Sequence, residues 1–208
     1  MLKQYINQSL LIVLIISLAG CMSTPVKEND KKAVDLRDDK PVVVAEFKVS
    51  NVLQQKYKVA LEHMQSEDYR QAIAAMEKIV AEEPRVSGPW INMAIAYRKL
   101  DEIKKAESAI QKALETNPDN PYALNQAGII GREMGEFSTA EEMYKRAIAE
   151  YPNYANAHLN LAILCDLYLQ KIVCAKSHYQ AYQELSQETD KSVVAWINDL
   201  DRRSASTN

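Results

Sequence analysis

The chain contains three histidines and three cysteines, the residue types that often bind metal ions or act as nucleophiles. His63, His158 and His178 form no His-x-x-x-His pair, and no Cys-x-x-Cys pair or carboxylate cluster at metal-ligand spacing occurs. Signatures of serine and cysteine nucleophiles are absent as well. His63 and His158 occupy positions that Tyr97 and Trp90 fill elsewhere in the chain, so we interpret both as packing residues. We predict no catalytic residue, no metal site and no cofactor, and therefore no enzyme.

Composition favours a helical globular protein over a nucleic-acid-binding one. The 208 residues are 47% hydrophobic and 25% charged, with a formal net charge of -3. Such a chain has no basic surplus with which to bind a polyanion. It contains only five glycines, whereas sheet proteins and phosphate-binding loops depend on glycine. We predict an all-α protein that binds no nucleic acid.

From residue 50 onward the sequence repeats with a period of 34 residues. Large residues recur on this period at Met76, Ile110 and Tyr144, and prolines and small residues follow the same spacing: Pro84, Pro118 and Pro152; Ala60, Ala94, Gly128 and Ala162; Ala72, Ala106 and Ala140. Apolar residues at three- and four-residue spacing within each unit predict two amphipathic helices joined by a short polar turn. Because one helical hairpin cannot bury its apolar face alone, the units must stack.

The second unit carries a family signature at Trp90, Met93, Ala94, Tyr97, Ala106, Ile110 and Pro118. Its spacing resembles that of the tetratricopeptide repeat (TPR) family. The resemblance implies a right-handed TPR superhelix of about four helical hairpins in residues 50–186, with repeats at about 53–86, 87–120, 121–154 and 155–186. A C-terminal capping helix and tail would follow in 187–208.

The fourth unit departs from the period by one residue. Ile172, Ala175, Tyr179 and Tyr182 each fall one position late, which indicates a one-residue insertion in the turn 166–171. After this unit, Thr189 and Asp190 offer an N-cap for a helix from Val193 to Arg203. Its face of Trp196, Ile197 and Leu200 is suited to covering the last hairpin.

The first 21 residues combine a positive charge, an apolar run and a short segment that ends in cysteine. Lys3 precedes an apolar run that is too short to span a bilayer, which is typical of a signal peptide over residues 1–20. The sequence Leu18-Ala19-Gly20-Cys21 then resembles a lipobox, which implies cleavage before Cys21 and acylation of its thiol. Residues 21–49 predict a lipidated cysteine and a flexible tether, in which Val42 to Phe47 is either a short strand or a segment packed on the domain. Met22 after the cysteine implies the periplasmic face of the outer membrane.

Cys165 and Cys174 remain once Cys21 is acylated. The repeat places Cys165 late in the first helix of the fourth hairpin and Cys174 early in the second helix, so antiparallel packing brings them near each other. An oxidising compartment favours a disulfide between them. The alternative is two buried thiols that pack as small apolar residues.

In the TPR family the first helices of the hairpins line a concave groove. The period assigns the following residues to that face: Tyr57, Leu61, Ile91, Ile95, Arg98, Tyr122, Asn125, Ile129, Arg132, Leu159 and Ile163. An aliphatic row exposed along the groove would be a partner-binding stripe, with arginines in a polar rim. The alternative is that neighbouring helices, or residues 42–47, bury the row. The lysine and asparagine pattern of a carboxylate clamp is missing, so we expect no binding to a free C-terminal carboxylate.

The resemblance implies a non-catalytic, lipid-anchored scaffold that binds a protein or peptide segment in the bacterial cell envelope. The alternative is an accessory or structural subunit of an envelope secretion, pilus-assembly or energised uptake complex. The sequence does not identify the partner or the oligomeric state.

Overall fold

The computed structural model describes residues 50–186 and 189–205. Within these ranges the chain forms helices and connecting turns, without strands, and the all-α prediction is confirmed. The helices are α1 (Asn51–Gln65), α2 (Tyr69–Glu82), α3 (Ser87–Lys99), α4 (Ile103–Thr116), α5 (Pro121–Glu133), α6 (Phe137–Glu150), α7 (Ala155–Leu167), α8 (Ile172–Leu185) and α9 (Lys191–Ala205).

The helices pair into four hairpins, α1/α2, α3/α4, α5/α6 and α7/α8, and each hairpin packs on the next. Consecutive first helices also touch, α3 against α5 and α5 against α7, so the first helices line one side of the stack. Side-chain caps define several starts: Ser50 Oγ accepts from the Leu53 amide, and Asn120 Oδ1 accepts from the Tyr122 and Ala123 amides.

The turn inside each hairpin contains one residue with left-handed backbone. These residues occupy equivalent positions: Glu67, Asp101, Gly135 and Gln170, with φ between 54° and 80°. Only the third turn uses glycine, the residue that adopts this conformation without steric cost. The first three turns span residues 66–68, 100–102 and 134–136, whereas the fourth spans 168–171. The predicted one-residue insertion is therefore confirmed.

Close contact between the helices of a hairpin depends on the rows of small residues. Ala60, Ala94, Gly128 and Ala162 are buried. A Cβ atom added to Gly128 would lie 2.5 Å from Cε1 of Tyr144, whose own side chain is fully buried. The third hairpin thus combines the smallest residue in this row with an aromatic ring opposite it.

Helix α9 covers the end of the stack, as predicted. It begins two residues before the expected start, because Asp190 Oδ1 accepts from the Ser192 and Val193 amides. Val193, Trp196 and Leu200 are buried, and the Trp196 ring lies 5.4 Å from that of Tyr179 on α8. This helix provides the last hairpin with an apolar cover whose opposite face is polar.

The predicted signal peptide, Cys21, the tether to residue 49 and the segment 42–47 lie outside the described residues. Among the helices that the structure describes, none combines the length and apolar character that crossing a bilayer requires.

Candidate functional site

Apart from Leu61, the aliphatic residues assigned to the groove are buried, and the expectation of an exposed stripe was wrong. Ile91, Ile95 and Ile129 have no solvent exposure, and Leu159 and Ile163 are 2% exposed. The reason is the stacking itself. Each internal first helix packs against its own second helix, against the preceding second helix and against neighbouring first helices. These side chains are therefore core residues that hold adjacent hairpins together.

Besides Arg98, three residues assigned to the groove stay partly exposed: Tyr57 and Leu61 on α1, and Tyr122 on α5. The orientation of the Tyr57 ring is fixed by the scaffold, because its hydroxyl oxygen accepts a hydrogen bond of 2.6 Å from the side-chain amide of the fully buried Asn92. An oriented aromatic ring beside an aliphatic side chain is a contact surface of the kind that binds protein segments.

Asn125, also assigned to the groove, is fully buried and links two hairpins. Its Nδ2 donates to the Tyr154 hydroxyl at 3.4 Å, and its Oδ1 accepts from Asn160 Nδ2 at 3.1 Å. The amide is thus satisfied by the scaffold and is not presented to a ligand.

A row of charged residues runs beside this face. The Arg98 guanidinium donates to both carboxylate oxygens of Glu133, at 3.0 and 3.2 Å, and to Gln126 Oε1 at 3.2 Å. The Arg98 side chain is 8% exposed, and Arg132, one repeat later, is 5% exposed. These arginines act within the scaffold and do not form the open polar rim that the sequence predicts.

The row of charged residues that contains Arg98 and Arg132 ends at Asp166, which α9 covers. The Asp166 side chain is fully buried and accepts hydrogen bonds from the Arg203 guanidinium on α9 and from the Tyr179 hydroxyl at 3.4 Å. Burial, together with the Asp166 charge and hydrogen bond, raises the pKa of Tyr179 well above its ordinary value. Tyr179 therefore remains a neutral donor. Arg203 joins the capping helix α9 to α7, the first helix of the fourth hairpin.

Three tyrosines form an aromatic cluster where consecutive hairpins meet. The Tyr122 and Tyr154 rings contact edge to face with centroids 5.1 Å apart, and the Tyr151 and Tyr154 rings stack at 6.0 Å. Tyr151 is 42% exposed. Sequence reasoning placed Tyr122 at the groove and missed the other two, because Tyr151 and Tyr154 precede the first helix of the next unit. The aromatic residues around Pro152 were the signal available in the sequence.

The two cysteines assigned to the fourth hairpin come together. Cys165 on α7 and Cys174 on α8 are joined by a disulfide in the structure, with their Cα atoms 5.9 Å apart. The bond crosses the hairpin whose turn is one residue longer than the others. It adds a covalent link between the two helices that α9 covers.

The histidines lie in different environments. His63 Nδ1 is 3.7 Å from Asp68 Oδ2 near the first turn, with both side chains substantially exposed. His158 is buried and pairs with His178, with the two Nδ1 atoms 3.0 Å apart. Sequence reasoning missed this pair, because 20 residues and a turn separate its members. Among the described residues no group of three or more potential metal ligands comes together.

Comparison with known proteins identifies the repeat. Two family models, both described as tetratricopeptide repeat, match residues 63–125 and 126–166. The chain belongs to the tetratricopeptide repeat family. The matched residues run from the end of α1 to α7 and make up half of the chain. Proteins of this family are protein-interaction scaffolds, and their stacked repeats form extended concave binding surfaces.

Curated relatives share the repeat over part of their length. Photosystem I assembly protein Ycf3 from Cuscuta gronovii is 34% identical over 86 residues, which is 41% of this chain and 44% of that protein. Mouse superkiller complex protein 3 is 27% identical over 112 residues, 54% of this chain and 7% of that protein. Human protein O-mannosyl-transferase TMTC3 is 35% identical over 79 residues, 36% of this chain and 9% of that protein. The chain thus spans less than half the length of each of these relatives.

Solved structures match the fold over most of the described chain. Pseudomonas aeruginosa PilF superposes with a TM-score of 0.67 at 21% identity, over 74% of this chain and 69% of that one. MamA from Desulfovibrio magneticus RS-1 gives 0.63 at 15% identity, over 75% and 87%. The first TPR domain of Spaghetti (RPAP3), solved with an HSP90 peptide, gives 0.52 at 20% identity, over 56% and 90%. At these identities the likeness concerns the fold alone.

Proposed function

We propose that this protein is a non-catalytic, lipid-anchored scaffold of the bacterial cell envelope, which holds a segment of a partner protein against its first helices. The observation that carries the binding role is the stack of four TPR hairpins with Tyr57, Leu61 and Tyr122 accessible along the first-helix side. The aliphatic row beneath these residues supports the surface and does not itself contact the partner.

The chemistry of this surface defines the kind of partner. Its accessible residues are aromatic and aliphatic, while the neighbouring arginine Arg98 is already held by Glu133 and Gln126. A segment bound here would insert apolar side chains against Tyr57, Leu61 and Tyr122. A free C-terminal carboxylate would find the guanidinium occupied, so an internal segment fits better than a chain terminus.

Two variants with a matched control test the binding role. Leu61→Gln combined with Tyr122→Gln reduces the apolar contact area on the first-helix side, and we expect at least a tenfold loss of partner capture from detergent-solubilised envelopes. Val59→Gln changes an exposed residue of the same helix α1, and capture should stay at the wild-type level. Leu61 and Tyr122 also pack against the core, so the double variant should lose some thermal stability, and capture is compared at a temperature at which every variant is folded. Full capture by the folded double variant would refute the role of this surface.

The anchor is supported by Leu18-Ala19-Gly20-Cys21 following an apolar segment. Several acyl chains on one cysteine suffice for stable membrane attachment, since each buried methylene contributes about 0.8 kcal/mol. Cys21→Ser should leave the protein unlipidated, and it should then be either uncleaved or recovered in the soluble fraction. Membrane association of a correctly cleaved Cys21→Ser protein would refute the anchor. Sucrose-gradient separation of the two membranes tests the assignment to the outer one.

The alternative is a fixed accessory or structural subunit of an envelope secretion, pilus-assembly or energised uptake complex. The observation in its favour is the match to Ycf3, which is named as an assembly protein. A fixed subunit would co-purify at constant stoichiometry through gel filtration in detergent. A scaffold with exchangeable partners would separate from them on dilution.

A further inference from the structure

The pair formed by His158 and His178 joins the two helices of the fourth hairpin to the turn that precedes them. His158 on α7 is 9% exposed, and its Nε2 lies 3.1 Å from the carbonyl oxygen of Pro152, in the turn that follows α6. Its Nδ1 lies 3.0 Å from Nδ1 of His178 on α8. The pair therefore connects the turn after α6, helix α7 and helix α8.

The hydrogen bonds fix the position of each proton. A carbonyl oxygen can only accept, so Nε2 of His158 carries a hydrogen and donates to Pro152. In a neutral imidazole the other nitrogen is then an acceptor, so Nδ1 of His158 accepts from Nδ1–H of His178. The ring centroids are 5.1 Å apart, which places the two Nδ1 atoms close to the line between the rings, as a hydrogen bond requires. This assignment needs both rings to be neutral or the extra proton to be on Nε2 of His178.

Protonation of both rings would be incompatible with this hydrogen bond. One added proton leaves an acceptor on one of the two Nδ1 atoms, because the neutral ring can carry its hydrogen on Nε2. Two added protons place N–H donors on both Nδ1 atoms, which face each other at 3.0 Å, and the hydrogen bond between α7 and α8 is then lost. The surrounding charges also oppose protonation of the partner ring. Burial, then His158 and then Lys145 on α6 lower the pKa of His178 below its ordinary value.

Two carboxylates on the neighbouring helices α6 and α9 are engaged by lysines. On α6, Glu141 accepts hydrogen bonds from Lys145 and from Lys171 at 2.7 Å each. On α9, Asp201 accepts from Lys176 of α8 at 2.6 Å. These carboxylates are held by lysines and do not compensate a charged histidine pair.

We propose that the His158–His178 pair is a proton-sensitive joint, which links the two helices of the last hairpin, α7 and α8, to each other and to the turn that precedes them, and which weakens on acidification. In the unfolded chain both imidazoles bind protons freely below pH of about 6.5. The folded pair cannot take up a second proton without losing the hydrogen bond between the two Nδ1 atoms. Stability from the joint is therefore fully present above this pH, falls as the pH drops below it, and levels off once the folded pair is protonated.

The chain contains two tryptophans, Trp90 on α3 and Trp196 on α9. In a Trp90→Phe background, Trp196 fluorescence reports unfolding at the C-terminal end where the joint lies. Urea titrations at pH 7.5 and 5.5 would compare this parent with two further variants in the same background. His178→Asn keeps a donor near the Nδ1 position and removes the titratable ring. His63→Gln removes a histidine remote from the joint.

Between pH 7.5 and 5.5 we expect the ratio of folded to unfolded parent to fall about five- to tenfold more than that of His178→Asn. This is the effect of one imidazole that binds a proton in the unfolded chain but not in the folded one. His63→Gln should keep at least the pH dependence of the parent. Equal pH dependence of the parent and His178→Asn, within twofold, would overturn the proposal.

A second measurement holds even if His178→Asn folds poorly. Long-range nitrogen–proton NMR spectra of the wild-type protein at pH 7.5 should identify His158 as the Nε2–H tautomer and His178 as the Nδ1–H tautomer. Observation of the opposite tautomer at either ring would overturn the proposal equally.

Discussion

Gly128→Ala tests the packing account at its closest contact. In the structure an added Cβ atom would lie 2.5 Å from Cε1, 2.6 Å from Cδ1 and 2.9 Å from Cζ of Tyr144. The ring has no solvent exposure, so it cannot turn outward to make room. Helices α5 and α6 must separate, or the ring must leave its preferred rotamer.

Two effects of opposite sign determine the size of the change. Overpacking of a core by one methyl group costs about 1 to 3 kcal/mol. Replacing glycine by alanine inside a helix returns about 0.5 to 1 kcal/mol. The difference lies between about 0 and 2.5 kcal/mol. Because the 2.5 Å contact is severe, we expect the upper part of this range, a net loss of roughly 1 to 2 kcal/mol, or about 2 to 8 °C in melting temperature for a chain of this size.

Thermal unfolding followed by circular dichroism measures the effect, with Gly131→Ala as the matched control. A Cβ atom on Gly131 would meet nothing closer than 3.5 Å, so this variant on the same helix should be neutral or slightly stabilised. The second hairpin combines Ala94 with Ile110 at the equivalent positions, so Tyr144→Ile should relieve the clash of Gly128→Ala. A Gly128→Ala protein as stable as the wild type would refute the reasoning, as would equal destabilisation by the two alanine variants.

Three further predictions concern the second half of the stack. Replacing Cys165 and Cys174 by serine should lower the free energy of unfolding by about 2 to 3 kcal/mol in the chain-entropy model, and thiol labelling of the denatured, unreduced protein should find no free thiol at these positions. Arg203→Ala should cost more than 1 kcal/mol in urea titrations, because it removes a partner of the buried Asp166 carboxylate, and a change below 0.5 kcal/mol would contradict that role. Hydrogen bonds from two lysines lower the pKa of Glu141. The stability that these bonds contribute is therefore fully present at a pH above the pKa of this carboxyl in the unfolded chain, and it is lost as the pH falls through its pKa in the folded protein. Glu141→Gln should therefore flatten the acid limb of the stability curve below about pH 4.5, and an unchanged limb would argue against it.

The sequence predicted the fold well because the residues that define the repeat are the ones that pack between helices. Alanines and Gly128 recur where helices touch, and each unit repeats the same helix and turn positions, so the 34-residue period determines both hairpins and stacking. The one-residue shift of Tyr179 located the longer turn. Asp190 predicted the capping helix to within two residues of its start, since an aspartate cap is a local signal.

The candidate site was less predictable. A periodic pattern identifies which residues share a helix face, but it does not say whether a neighbouring hairpin covers that face. Ile95 and Ile129 were therefore assigned to the surface, whereas stacking buries them. The contact between His158 and His178 was missed for a similar reason, because the repeat position of His158 identifies its helix face but not the side chain of the facing helix that it meets.

Site-specific photocrosslinking in intact cells tests the central claim most directly. A photoreactive amino acid at Tyr122 would lie on the first-helix side, and one at Val173, which is 84% exposed on α8, would serve as the control. The account predicts a discrete protein adduct from position 122 and none of that size from position 173. The same adduct from position 173 alone, or no adduct from position 122 in a correctly folded and exported protein, would contradict it.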